Sequence, residues 1–154
     1  MALLKANRTE THVDEMRARI TKDGIRIYED ADFAGLRAAG RVAAELLDAV
    51  IPLVIPETTT AALDDFITAE IRRLGVTSAT IGYKGYRHAS CISVNHVVCH
   101  GIPGPKVLAD GDILNIDVTV IVDGWFGDSS RMYVAGQLLR KPARLIEVTH
   151  EGLM

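Results

Sequence analysis

Between positions 32 and 50 apolar residues return every three or four places: Phe33, Leu36, Ala39, Ala43, Leu46, Leu47 and Val50. That spacing predicts a helix with one stripe turned to a core. Asp32 is placed to cap its start, and Pro52 to end it. A second stripe, Leu63, Phe66, Ile67, Ile71 and Leu74, predicts a helix from about Thr60, with Gly75 as its stop. After Gly75 the pattern changes to strands. Residues 91–99 read as β-like, with Ile92, Val94, Val97 and Val98. The run Ile113–Val122 is rich in Ile and Val, and Trp125–Val134 follows it after Asp123-Gly124. Asp-Gly between two such runs is a strong hairpin signal. Pro142 opens a last helix that runs to Met154. Residues 1–30 are polar and mixed, and read as an arm with a turn at Asp23-Gly24 and a short strand over residues 24–28. Residues 31–154 read as the domain.

Composition narrows the class. Charged residues make up 24% of the chain and apolar residues 48%, the balance of a soluble globular domain able to bury a core. A net charge of −3 gives no basic footprint for nucleic acid and no cationic face for a membrane. No apolar run approaches a bilayer span, and the first ten residues lack the apolar centre of a signal peptide. The expectation is a cytoplasmic protein. Cys91 and Cys99 fall in one β-like run, and a disulfide within a single straight strand cannot close. No CxxC is present, which argues against structural zinc, so two reduced thiols are expected.

The hairpin carries the first candidate chemistry. With Asp123-Gly124 as a two-residue loop, Val122 pairs with Trp125, Thr119 with Asp128 and Asp117 with Ser130. Asp117 and Asp128 then share one face and sit diagonally, within reach of each other. Asn115 lies on that face too, while Leu114, Ile116, Val118 and Val120 form the opposite, core-like face. Two carboxylates this close repel, and either one takes up a proton or a cation compensates. Carboxylate oxygens suit hard or borderline divalent metals. Two aspartates on a solvated face are the plain alternative, and spacing alone leaves both open.

Residues 82–136 read GYKGYRHASCISVNHVVCHGIPGPKVLADGDILNIDVTVIVDGWFGDSSRMYVAG. This stretch resembles the core signature of type I methionine aminopeptidases, enzymes that remove the initiator methionine from new proteins. Residues 32–70 resemble the family more loosely. The resemblance implies an α+β architecture: the N-terminal half of a pita-bread fold, a curved antiparallel sheet with two helices packed on one face. In that fold two pseudo-symmetric halves enclose a dinuclear metal site. Asp117 is then expected to ligate one metal, and Asp128 to bridge both. His100 matches the family's substrate-binding histidine, which contacts the scissile amide and helps stabilise the transition state. Tyr83, Tyr86 and Cys91 match positions lining the pocket for the methionine side chain. Asn95 and Val97 match positions whose backbone carbonyls hold a monovalent cation. Where some relatives carry a cysteine just before Ile81, this chain has Thr80. His12, His88 and His96 are read as structural or surface residues. The segment around Tyr83–Cys91 argues against other pita-bread hydrolases, such as proline-specific peptidases.

The family also requires three further ligands, one histidine and two glutamates, and a second histidine near the substrate, all from the second half of the fold. Residues 31–154 are expected to be the first half of that catalytic domain, truncated at the C-terminus. Glu147, His150 and Glu151 read as a solvated helix face rather than as replacements. The implied reaction is metal-assisted peptide hydrolysis with two divalent cations (Co, Mn, Fe or Zn). Its substrate is the N-terminal methionine of nascent polypeptides, with the ribosome as a candidate partner. The isolated chain is expected to be inactive. The alternative is a non-catalytic half-domain acting as a binding module.

Overall fold

The computed structural model describes residues 19–154; His12 and most of the expected arm lie outside them. The chain divides into two compact units, with the division after Phe33. In the first, β1 (Arg19–Ile20) and β2 (Arg26–Ile27) form a two-stranded antiparallel hairpin. Its turn closes through the Thr21 carbonyl and Gly24 N–H, as the Asp23-Gly24 signal implies.

The helix α1 (Asp30–Ala49) begins before Asp32. Asp32 is therefore not the residue preceding the helix. It lies in the first turn, accepts the Glu29 backbone N–H at 2.9 Å and pairs with Arg26 at 3.0 Å. A carboxylate there meets the exposed backbone donors of the helix start just as a cap would. Of the predicted stripe, Ala39, Ala43, Leu46, Leu47 and Val50 are buried, whereas Phe33 is exposed.

The second unit holds the sheet. Helix α2 (Thr60–Arg73) starts at a Thr59 cap whose hydroxyl accepts the Ala62 N–H at 3.1 Å, worth about 1 kcal/mol for such a cap. Gly75 stops it, with φ +70° that a side chain would strain. Four strands follow: β3 (Thr77–Ser78), β4 (Ser90–Val94), β5 (Ile113–Val122) and β6 (Trp125–Val134). All pairings are antiparallel. One edge of β5 takes β3 at its far end and β4 further back, and the other edge takes β6 along its whole length. The Ala79 N–H still bonds the Thr119 carbonyl of β5 at 2.9 Å, and the chain then makes an excursion over residues 80–89 between β3 and β4.

Leu114, Ile116, Val118 and Val120 are fully buried under α1 and α2, together with Leu46, Leu63, Ile67 and Ile92. This is the helix-covered face. Glycines let α1 lie directly on the hairpin: a Cβ at Gly127 would strike the Ala39 carbonyl, and one at Gly35 the Trp125 ring. Helix α3 (Arg140–Leu153) starts two residues before Pro142 and has no buried residue, so Glu147, His150 and Glu151 lie on a solvated face.

The β-like run at residues 91–99 is shorter than its apolar pattern suggests. The strand ends at Val94, because Asn95 turns the backbone to φ +53°. Its amide donates to Asp112 at 2.8 Å and accepts the Ile113 N–H at 3.1 Å, so a distant loop fixes the turn. Val98 is consequently 93% exposed. Both cysteines are free, but the straight-strand premise for excluding a disulfide does not hold.

Candidate active site

The hairpin loop Asp123-Gly124 has both residues at positive φ, +49° and +85°, as a two-residue turn matched to strand twist requires. The register follows: Val122 opposite Trp125, Thr119 opposite Asp128, Asp117 opposite Ser130. Asp117 and Asp128 lie diagonally on the face away from the helices, as the pairing predicted. Asp128 accepts the Thr119 hydroxyl at 3.1 Å. Asn115 bonds the Ser130 hydroxyl at 3.2 Å on the same face.

The two carboxylates repel each other. Burial pushes the Asp117 carboxyl above its ordinary range, and the Asp128 charge pushes it further, while His100 draws it back. Among the described residues no Lys or Arg forms an ion pair with either aspartate. A partly buried Asp117 beside an exposed Asp128, with no Lys or Arg paired to either, is a donor set that fits a cation. It is an incomplete one: among the described residues no group of three or more His, Cys, Asp or Glu is arranged to hold a metal.

Beside the pair opens a cleft of about 720 Å³. Its walls include Tyr83, Tyr86, Cys91 and His100, so the structure gathers all four residues singled out for substrate contact. Cys91 is the direct cross-strand partner of Asp117, which places the thiol on the carboxylate face. Tyr86 donates its hydroxyl to the Ser90 carbonyl at 2.8 Å and lies 3.5 Å from the Cys91 sulfur. Burial first, then the Cys91 thiol and the charges of Asp64 and Asp117, push its phenol well up.

His100 reaches the cleft because its neighbour is a glycine. Gly101 lies against β4 so closely that a Cβ would overlap the Ile92 carbonyl. Its carbonyl accepts the Ile92 N–H at 2.8 Å and its N–H donates to Ser93 Oγ at 3.1 Å. This clip fixes His100 at φ +54° with its side chain exposed in the cleft.

Asn95 and Val97 sit in the turn after β4, and Val97 N–H bonds the Val94 carbonyl at 3.1 Å. Thr80 lines the cleft, and its hydroxyl donates to the His88 carbonyl at 2.8 Å. His96 is exposed, while His88 is bonded to Asp64 at 2.9 Å. Sequence reasoning missed six cleft residues: Ala79, Lys84, Gly85, Ile102, Thr119 and Phe126. The hairpin register could have supplied Thr119 and Phe126, since both project from the Asp117 face.

Residues 34–154 match Metallopeptidase family M24. The chain is 50% identical over 130 residues to a methionine aminopeptidase of Rickettsia prowazekii, and 46% identical over 134 residues to that of Escherichia coli strain K12. Each alignment covers 84% of this chain and 50% of the relative, so the chain spans about half the length of the curated relatives it matches. The crystal structure of the Rickettsia prowazekii enzyme superposes with TM-score 0.82, over 84% of this chain and 52% of that one. A Thermotoga maritima methionine aminopeptidase superposes with TM-score 0.78 at 33% identity, over 82% of this chain and 51% of that one. The pita-bread fold is therefore present in its first half, with the expected antiparallel sheet and helices. No helix of the described residues is long and apolar enough to cross a membrane.

Proposed function

This chain belongs to metallopeptidase family M24, and we propose that it supplies one half of a methionine aminopeptidase site, acting on the N-terminal methionine of nascent polypeptides. The observation that carries the proposal is the junction of two features. A cleft walled by Tyr83, Tyr86, Cys91 and His100 adjoins the face bearing Asp117 and Asp128.

Asp117 and Asp128 are the residues that would hold the divalent cations of such a site. When bound, such cations make a coordinated water nucleophilic near neutral pH and stabilise oxyanion charge. Every other contribution comes from the chain itself. Tyr83 and Tyr86 offer ring faces and edges to a thioether, a favourable contact for sulfur, and Cys91 closes the wall behind them. His100, held by the Gly101 clip, donates a hydrogen bond to the scissile amide and to the charge that develops on it. Thr119 orients the Asp128 carboxylate through its hydroxyl. The Asn95–Val97 turn would hold a monovalent cation by its carbonyls. Residues 31–154 serve as the first half of the catalytic domain. A cytoplasmic location and an encounter near the ribosome belong to the same reading.

Two aspartates fix neither the geometry of two metals nor a general base. The 154-residue chain alone is therefore inactive on this reading. The test is release of methionine from a Met-Ala-Ser peptide with cobalt, manganese, iron or zinc supplied. The chain alone gives no turnover above a metal-only blank. A fusion to the half of the Rickettsia prowazekii enzyme that the alignment leaves uncovered gives turnover that Asp128→Ala abolishes. A fusion that folds and loads metal but does not turn over overturns the catalytic reading. A second reading, a non-catalytic half-domain that binds a partner, draws on the lack of a third metal ligand among the described residues. That same silent fusion would favour it.

A further inference from the structure

Asp64 is a carboxylate in the core. It lies on α2 beside Leu63 and one helical turn from Ile67, and is 5% exposed. A buried carboxylate is costly unless it is richly hydrogen-bonded. All four of its bonds come from one short segment. Its Oδ1 accepts the Ala89 N–H at 3.0 Å, the Ser90 N–H at 2.9 Å and the Ser90 hydroxyl at 2.7 Å. Its Oδ2 accepts from His88 Nδ1 at 2.9 Å.

That segment lies between two cleft residues, Tyr86 and Cys91. It is where the chain returns to the edge of β5 after its excursion over residues 80–89. The Tyr86 hydroxyl bonds back to the Ser90 carbonyl at 2.8 Å, and its ring meets the His88 ring edge-on at 5.6 Å. The position of the cleft wall is thereby set by where Asp64 holds residues 88–90. A generic brace would draw donors from several elements; here every donor lies between the two wall residues Tyr86 and Cys91.

We infer that Asp64 is a positioning residue for the cleft, fixing Tyr86 and Cys91 so that the cleft accepts an unbranched thioether side chain. This rests on reading the cleft as the seat of the methionine side chain. Asp64 itself touches no substrate. It acts through the strand entry it holds.

The chain's two cysteines provide the assay, since Cys91 lines the cleft and Cys99 is exposed outside it. Pulsed alkylation with iodoacetamide, read by mass spectrometry, follows both at once. In the parent chain, L-methionine amide slows Cys91 alkylation and leaves Cys99 unchanged. In Asp64→Asn, Cys91 alkylation rises about tenfold without ligand, the effect of losing a strong charged acceptor. Protection by methionine amide is then lost even at saturation. Ser90→Ala removes one bond of the four and shifts both readouts the same way by less, which keeps the test decisive if Asp64→Asn does not fold. A role in stability alone would speed Cys91 but leave protection intact at saturating amide, and that result overturns the positioning role. Unchanged Cys91 behaviour in the folded variants overturns it too. No protection in the parent chain, with the Asp64→Asn acceleration intact, overturns the methionine reading and leaves the geometric hold of Asp64 standing.

Discussion

Asp128 accepts the Thr119 hydroxyl at 3.1 Å from the residue directly across the β5–β6 ladder, and this bond aims it along the face that Asp117 shares. The Asp128 charge then bears on the Asp117 carboxyl. Burial and the Asp128 charge hold the Asp117 carboxyl above its ordinary range. Coordination requires the ionised form, so cation uptake strengthens as pH rises through that raised range. Asp128→Asn removes the neighbouring charge and lowers the Asp117 midpoint, yet weakens cation binding by removing a ligand. Carboxyl-carbon titration by NMR and manganese calorimetry at several pH values check both halves. An Asp117 midpoint that stays put in Asp128→Asn would show the carboxylates to be too far apart to share an ion.

His100 should behave differently from the aspartates. In a fusion that turns over, Asp117→Asn and Asp128→Asn lower the rate severely and release metal. His100→Ala lowers the rate by the worth of one transition-state donor, ~2–4 kcal/mol, while metal content stays near normal. Kinetics beside metal analysis separate the two. Loss of metal in His100→Ala would move the histidine onto the ion. Gly101→Ala should reproduce part of the defect, because a Cβ there meets the Ile92 backbone and shifts the His100 clip.

The hairpin and its carboxylate face were legible because their signals are local. Asp-Gly fixes the loop, the loop fixes the register, and the register places Asp117 and Asp128 together. The turn at Asn95 was not. Val97 and Val98 continue an apolar pattern through it, and the cause of the turn is a bond to Asp112 that only the folded chain makes. Asp64 was overlooked although its position carried a signal. Thr60, Asp64, Ile67 and Ile71 are spaced as one helical stripe, and all four are buried. A carboxylate on a buried stripe needs partners, so its place in that pattern asks for them. The exposure of Phe33 and the early start of α1 are end effects, where local polar bonds outweigh periodicity.

Asp112 gives the fold an acid limit. Burial pushes its carboxyl up, but the Ala109 N–H, the Asn95 amide and Lys106 outweigh that and hold it below the ordinary 3.8. A depressed folded-state value contributes stability that is present above the unfolded value and lost as pH falls through the folded one. Denaturant midpoints should therefore fall as pH drops below about 4. Asp112→Asn should cost roughly 1–3 kcal/mol at neutral pH, the range for removing a buried charged acceptor, and flatten the acid limb. A variant that keeps both the neutral midpoint and the acid limb of the parent would remove Asp112 from this role.

The final expectation concerns association. Strand β6 pairs with β5 along one side, and among the described residues nothing pairs with its other edge. Helix α3 has no buried residue, yet Leu145 is 60% exposed, Val148 46% and Leu153 83%. Open strand edges and contiguous apolar surface both promote contact between chains. The site face adds a like-charged pair with no counter-ion, which destabilises the monomer further. The isolated chain should thus be marginally stable at micromolar concentration and dimerise or aggregate, with divalent cation raising its unfolding midpoint. Leu145→Lys with Val148→Lys should reduce association without changing the far-ultraviolet spectrum, because neither side chain packs in the core. Light scattering and denaturation with and without manganese decide the matter. A monodisperse monomer with one cooperative, metal-independent transition would show that residues 34–154 stand alone, and would favour the binding half-domain over the half-site of an enzyme.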